Sequence, residues 1–390
     1  MNYNLKPTSE RLAVVDSLRG FALLAIVLLH NLEHYNMISF PENQPAWLSS
    51  LDKGVWDTLF FLLAGKAYAT FSLLFGFSFY IQFRNAQRRG DSFRGRFAWR
   101  MFLLFLFSQF HALFYNGDIL LLYSVVGLVL VAVCNLKDRT VLIIAIICLL
   151  QPLELARIAY AFINPEFTSY GNYFLKYAHL TRPVMADGSF IELLKSNIWH
   201  GQLYSNLWQV ENGRLFQTAA LFMFGMLLGR REYFVKSERS LTMWKKILLG
   251  SAIAFIPFYL LKVYIPGLAS TESMKAPLGI LFPSLSNFAF MAILVSGFTL
   301  LWFRKDGYKF QRMIIPYGRM TLTNYITQSI IGVTVYYGFG LALYRVTGST
   351  VCLLIGLIIF TVQLLFSRWW LSKYNQGPFE YIWKKGTWMW

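Results

Sequence analysis

Charge is what this sequence has least of: only 14% of its 390 residues are Asp, Glu, Lys or Arg, against about a quarter in a water-soluble domain. So little charge cannot cover a soluble surface. With 56% of its residues apolar, the chain reads as an integral membrane protein. Cysteine is scarce as well. Cys134, Cys148 and Cys352 each fall inside an apolar run without paired spacing, which suggests neither a disulfide framework nor a zinc motif, and no metal is expected. Acidic residues are outnumbered 19 to 36 by basic ones, for a net charge of +17. A nucleic-acid surface would gather those cations in one patch. Here they are dispersed among the connections between apolar runs, so no nucleic acid is expected. Low-complexity tracts and a clear internal repeat are also lacking. The first apolar run holds Asp16 and Arg19 and lacks a small-residue cleavage site, so it is expected to be a retained helix.

What is present is apolar sequence in long windows, at roughly 14–32, 55–82, 98–116, 119–135, 140–163, 214–229, 246–265, 279–303, 317–343 and 350–371. The strands of a barrel would appear instead as short alternating segments. The windows predict an all-α polytopic membrane helix bundle of about ten spans, one domain over 1–390, with the fifth span interrupted at Pro152. Basic residues collect in alternate connections, among them "RNAQRRGDSFRGRFAWR" and "RREYFVKSERSLTMWKK". About 25 of the 36, including Lys6 and Arg11, fall on one side, which predicts both termini on the cytoplasmic side. Lys66 and Arg319 lie within spans. An extracytoplasmic excursion at about 164–213 carries Phe190, Leu193, Leu194, Trp199, Leu203, Leu207 and Trp208 at roughly helical spacing, the pattern of a helix lying on the membrane surface.

The first span, "DSLRGFALLAIVLLHNLEHYN", holds ionisable groups at Asp16, Arg19, His30 and His34. The eleven residues from Arg19 to His30 turn a helix ~1100°, about 20° past three turns, so both side chains share one face. Asp16 and His34 fall near the same stripe by three-and-four spacing. In the third span Ser108, His111 and Tyr115 share a face, with Asp118 at its mouth; in the ninth, Thr321, Asn324 and Gln328 form a stripe. Structural roles account for several of these. Asp16 with Arg19 or Arg319 reads as a buried ion pair, and the Thr321–Asn324–Gln328 stripe as interhelical hydrogen-bonding glue. Histidine at membrane depth is a site hypothesis by default. An imidazole at His30 can take a proton from an attacking hydroxyl or carry an acyl group itself, with His111 or Asp118 orienting it.

"DSLRGFALLAIVLLHN", "FHALFYNGDILLLYSVVGL", "PYGRMTLTNYITQSIIG" and "GPFEYIWKK" together resemble the bacterial membrane family called domain of unknown function 418, of the YeiB type. That family resembles the transmembrane acyltransferases, which include acyltransferase-3 proteins and the heparan glucosaminide acetyltransferases. The resemblance implies a multi-pass protein of the bacterial cytoplasmic membrane that takes an acyl group, acetyl above all, from cytoplasmic acyl-CoA and gives it to an extracytoplasmic small-molecule or glycan acceptor. Acyltransferase-3 proteins carry an arginine, ten residues and a histidine in the first span, a spacing that Arg19 and His30 reproduce; Arg96 and Arg100 loosely match their arginine pair at the third. Under this reading Arg19, Arg96, Arg100 and Arg319 bind the donor, Arg84, Arg88 and Arg89 attract its nucleotide, and His30, His111 and Asp118 are catalytic. The competing expectation is a transporter or exporter of a small amphiphile, its route lined by the same polar stripe.

Overall fold

The structure, a computed structural model, describes residues 12–41, 44–164, 166, 172–269 and 271–388. Lys6 and Arg11 lie outside the described residues. Among these the regular structure is helical and contains no strand. In an apolar medium a helix satisfies every backbone polar group within its own segment, and long runs of Leu, Ile, Val and Phe therefore settle into it.

The first half comprises α1 (Ala13–Leu32), α2 (Ala46–Leu63), α3 (Ala67–Arg89), α4 (Arg94–Ala112), α5 (Leu120–Val133), α6 (Asp138–Leu149) and α7 (Pro152–Ile163). The excursion folds as α8 (Tyr173–Asp187), α9 (Phe190–Ser196) and α10 (Gln202–Glu211), with a π-helical turn, Asn197–Gly201, joining the last two. Then come α11 (Arg214–Arg230), α12 (Glu238–Leu268), α13 (Glu272–Lys305), the short α14 (Lys309–Met313) and α15 (Ile315–Arg319), α16 (Thr321–Tyr336), α17 (Ser349–Lys373) and α18 (Pro378–Thr387).

Five segments are long and apolar enough to cross a membrane: α1, the run Ala46–Arg89, α12, α13 and α17; the pair α6 and α7, bent by 49°, makes a sixth if it is one span. Helices α5, α11 and α16 are shorter, at 14, 17 and 16 residues. The 55–82 window needs correction. A helix already begins at Ala46 and stops at Leu63, and Gly65, at φ +77°, turns the chain before α3 starts. Gly65 supplies a left-handed backbone that other residues resist. The anticipated interruption in the fifth window falls at Gln151, left-handed at φ +54°, immediately before Pro152.

Helix α1 is the axis of the core, packed on α3, α15, α16 and α17, with Leu18, Ala22, Leu23 and Val27 wholly buried. Two seams bring main chains into contact. On α3 and α11, a Cβ at Gly76 would strike the Phe222 carbonyl, and one at Gly225 the Leu73 carbonyl. Between α1 and α15, Gly20 faces the Ile314 carbonyl and Gly318 the Asp16 carbonyl. Small residues permit such approach, a common device of membrane bundles.

Candidate functional site

A cavity of about 630 Å³ opens among α1, α3, α4, α5 and the start of α16, and α18 closes one side of it. Arg19, Arg89, Arg96, Arg100, Arg319 and Lys384 line it, with Glu380 the one carboxylate among its lining residues. Arg19 projects from α1, where Asp16 grips one guanidinium nitrogen at 2.8 Å and Ser78 of α3 accepts from another. Arg319, at the end of α15, donates to the Asn375 carbonyl at 3.1 Å. Arg96 and Arg100 rise from the first turns of α4 and meet tryptophans of α18. The Arg100 guanidinium lies 3.7 Å from the Trp383 ring and that of Arg96 4.4 Å from the Trp388 ring, cation–π geometry that orients each fork. Reciprocal bonds fasten the two helices: Trp383 Nε1 donates to the Arg100 carbonyl and Trp99 Nε1 to the Gly386 carbonyl, both at 3.0 Å. Deeper in, the walls turn aromatic, with Phe71, Phe75, Tyr68, Tyr123 and Tyr325. The cavity therefore joins a cationic mouth to an apolar interior.

Glu380 is spent locally. Its carboxylate accepts from Leu322 N at 2.6 Å, Thr323 N at 3.1 Å and Thr323 Oγ1 at 2.6 Å, and so caps the N-terminus of α16 from another helix. Burial pushes this carboxyl above the usual glutamate range, and the bonds from Thr323 and Leu322 pull the other way without cancelling it.

Beyond the aromatic end lies a histidine pair. His111 Nδ1 is 2.7 Å from Asp118 Oδ1, and Ser108 Oγ donates to Asp118 Oδ2 at 2.6 Å. A carboxylate on Nδ1 favours the tautomer with its proton on that side and turns Nε2 toward the interior. That Nε2 is buried and has no hydrogen-bond partner among the described residues. The Asp118 carbonyl is held in turn by Ser205 and Gln209 of α10, at 3.1 and 2.8 Å, so the excursion braces the turn that carries the aspartate. His30 Nδ1 lies 3.1 Å from the Tyr115 hydroxyl and 3.7 Å from Glu33 Oε2. A column of rings links the two histidines to the cavity: Tyr325, a cavity wall, stands 4.9 Å from His111, His111 5.9 Å from Tyr115, and Tyr115 5.2 Å from His30.

Arg19, Arg96, Arg100 and Arg319, from three separate stretches of the sequence, thus meet at one cavity; Thr321 joins them on its wall. Asn324 turns away, donating to the Tyr317 carbonyl and to Ser367 Oγ at 3.2 and 2.9 Å, and Gln328 is buried beyond it. Arg84 leaves the arginine group to pair with Glu232. His34 also departs from its expected stripe. Helix α1 ends at Leu32, and His34 to Asn36 take left-handed φ angles of 47°, 52° and 76°. The His34 ring is carried to Thr347 Oγ1 at 2.9 Å and Cys352 Sγ at 3.0 Å, where it joins the loop before α17 to α1. On the excursion the π turn breaks the 3.6 phase, and Trp199 points outward, 72% exposed. Glu33, Trp383 and Trp388 are the site neighbours least visible in the sequence, although "GPFEYIWKK" contains Trp383. Among the described residues no three His, Cys, Asp or Glu side chains converge as a metal site would need.

A family described as "Protein of unknown function (DUF418)" matches residues 228–390, the part that supplies Arg319, Glu380 and α18. Over nearly its whole length the chain is similar to YxaH of Bacillus subtilis (strain 168), 26% identical over 99% of this chain and 97% of that protein. It is 25% identical to a 39.9 kDa protein of the amylase 3′ region of Bacillus acidopullulyticus, over 97% of this chain and 94% of that one. YeiB of Escherichia coli (strain K12) is 28% identical, over 97% and 96%. All three are described as uncharacterized. No solved structure matches the chain.

Proposed function

Because this chain belongs to the DUF418 family of YeiB type, we propose that it is a multi-pass acyltransferase of the bacterial cytoplasmic membrane. It has both termini inside and passes an acyl group from cytoplasmic acyl-CoA to a hydroxyl- or amine-bearing acceptor on the outer side. The observation that carries this reading is the cavity, where six cations surround the mouth and aromatic rings line the depth. An acyl-CoA has that profile: phosphates at one end, a thioester and an apolar chain at the other. Planar guanidinium forks suit phosphate oxygens in pairs. The mouth lies at the basic ends of α3 and α4, on the side that the charge bias assigns to the cytoplasm.

The acceptor oxygen or nitrogen forms a bond to the thioester carbon as the C–S bond breaks, and the acceptor's proton ends on the departing thiolate. His30 accepts that proton in transit, with Tyr115 and Glu33 holding its Nδ1 side. His111, oriented through Nδ1 by Asp118, is a second proton holder nearer the cavity. The bent pair α6 and α7 favours a second reading, since broken helices line substrate paths in transporters. Neither helix contributes to the cavity wall, so transport is the weaker of the two.

The test is purified protein in liposomes with labelled acetyl-CoA, scored by release of free CoA. His30→Ala should slow turnover by on the order of 100-fold while donor binding persists, the usual scale for a lost acid–base group. Arg19→Ala should weaken donor binding, and Arg19→Lys should restore it only in part, because lysine keeps the charge without the fork. Absence of both binding and turnover across a panel of acyl-CoAs would remove the acyltransferase reading.

A further inference from the structure

Lys66 sits at the break between α2 and α3, only 5% exposed. It stands two residues before Tyr68, at the aromatic end of the cavity, and twelve residues of helix, ~18 Å, separate it from Ser78, which receives Arg19. Its ammonium has three N–H donors. One goes to the Phe61 carbonyl at 2.7 Å, an open carbonyl at the end of α2. The rings of Phe61 and Phe290 flank the charge at 5.7 and 5.4 Å. On the far side of the same aromatic cluster stands a second cation, Lys262 of α12. Lys262 stands 5.8 Å from the Tyr259 ring, and Tyr259 packs edge-on against Phe61 at 5.8 Å. Asn287 of α13 presses its carboxamide against Gly65 in the same break. Among the described residues neither lysine forms an ion pair.

Two cations beside one aromatic cluster, paired with no carboxylate among the described residues, repel each other and lack the compensation that buried charge requires. Capping α2 uses one donor of Lys66 and leaves its charge unneutralised. A compact anion with several acceptor oxygens would answer both lysines at once. The surroundings indicate how it arrives. The apolar window of α12 is 0% buried, and Ile256, Leu260 and Val263 on it are 61%, 48% and 50% exposed, so the helix that carries the partly buried Lys262 meets lipid chains along its outer face. We propose that Lys66 and Lys262 form a binding site for the phosphate of an anionic membrane lipid, its acyl chains lying along α12. The site is independent of the acyl-transfer reading.

The experiment compares the melting temperature of delipidated full-length protein in detergent after adding phosphatidylglycerol, phosphatidylcholine or water-soluble glycerol 3-phosphate. Phosphatidylglycerol should raise it, and phosphatidylcholine, whose own cation faces the lysines, should do so far less. Lys262→Gln, on a partly buried residue, should cut the phosphatidylglycerol shift at least by half, and Lys66→Met should abolish it. Should Lys66→Met fail to fold, Lys262→Gln alone still decides. An undiminished shift in Lys262→Gln would overturn the site, and an equal shift from glycerol 3-phosphate would overturn its assignment to lipid.

Discussion

Asp16 shows how one side chain can serve packing and chemistry at once. It is 2% exposed, its partner Arg19 is 22% exposed, and its backbone carbonyl is the surface on which Gly318 rests. Asp16→Asn keeps the shape and removes the charge that faces the Arg19 guanidinium at 2.8 Å. Breaking a buried pair costs about 3 kcal/mol. We expect a clearly lowered melting temperature in detergent, and a variant as stable as the parent would show that water already solvates the pair. The spacing from Asp16 to His30 was legible because α1 is regular throughout it. His34 was not. No Gly or Pro immediately precedes it, and the helix stops where His34 and Tyr35 find partners on α17 and α16, contacts from more than 290 positions away.

Helix α18 is held by side chains, and one of them titrates. The Glu380 carboxyl lies above its ordinary range because it is buried. A group raised in the folded state contributes stability that is complete below its unfolded pKa, about 4.3 for glutamate, and lost as pH rises through the folded value. The docking of α18 on α4 and α16 should therefore be tighter in mild acid than at neutral pH. Limited proteolysis of the C-terminal segment across that range would report it, and Glu380→Gln should flatten the dependence; an unchanged dependence would assign it to another group. At this scale the sequence was half readable. The pair "GK" inside "FLLAGKAYA" is a helix stop that a hydropathy window averages away, whereas Pro152 announced the other break. The pairing of α18 with α4 rests on tryptophan and arginine contacts across about 280 residues, and neither periodicity nor composition encodes such a partner.

For the whole molecule, the proposed orientation places the α3–α4 connection and the excursion on opposite sides of the membrane. Ser92 and Asp187 are both exposed. In a cysteine-free background, Ser92→Cys should react only with reagents that reach the cytoplasm and Asp187→Cys with impermeant ones added outside. Labelling of both from one side would reverse the orientation and with it the assignment of cavity mouth and acceptor end. That the chain is an all-helical membrane protein follows from apolar content alone. That its four site arginines share a cavity does not, because they reach it from α1, α4 and α15 and only the crossing of those helices makes them neighbours.

The two glycine seams bear on heredity as well. At most interfaces a side chain that grows can be answered by one that shrinks opposite it. Facing Gly20, Gly76, Gly225 and Gly318, however, are main-chain carbonyls, and no codon shortens a carbonyl. Injury at these four positions has no suppressor across the seam. Repair there means restoring the glycine, and a descendant of this protein can drift around those positions far more readily than through them.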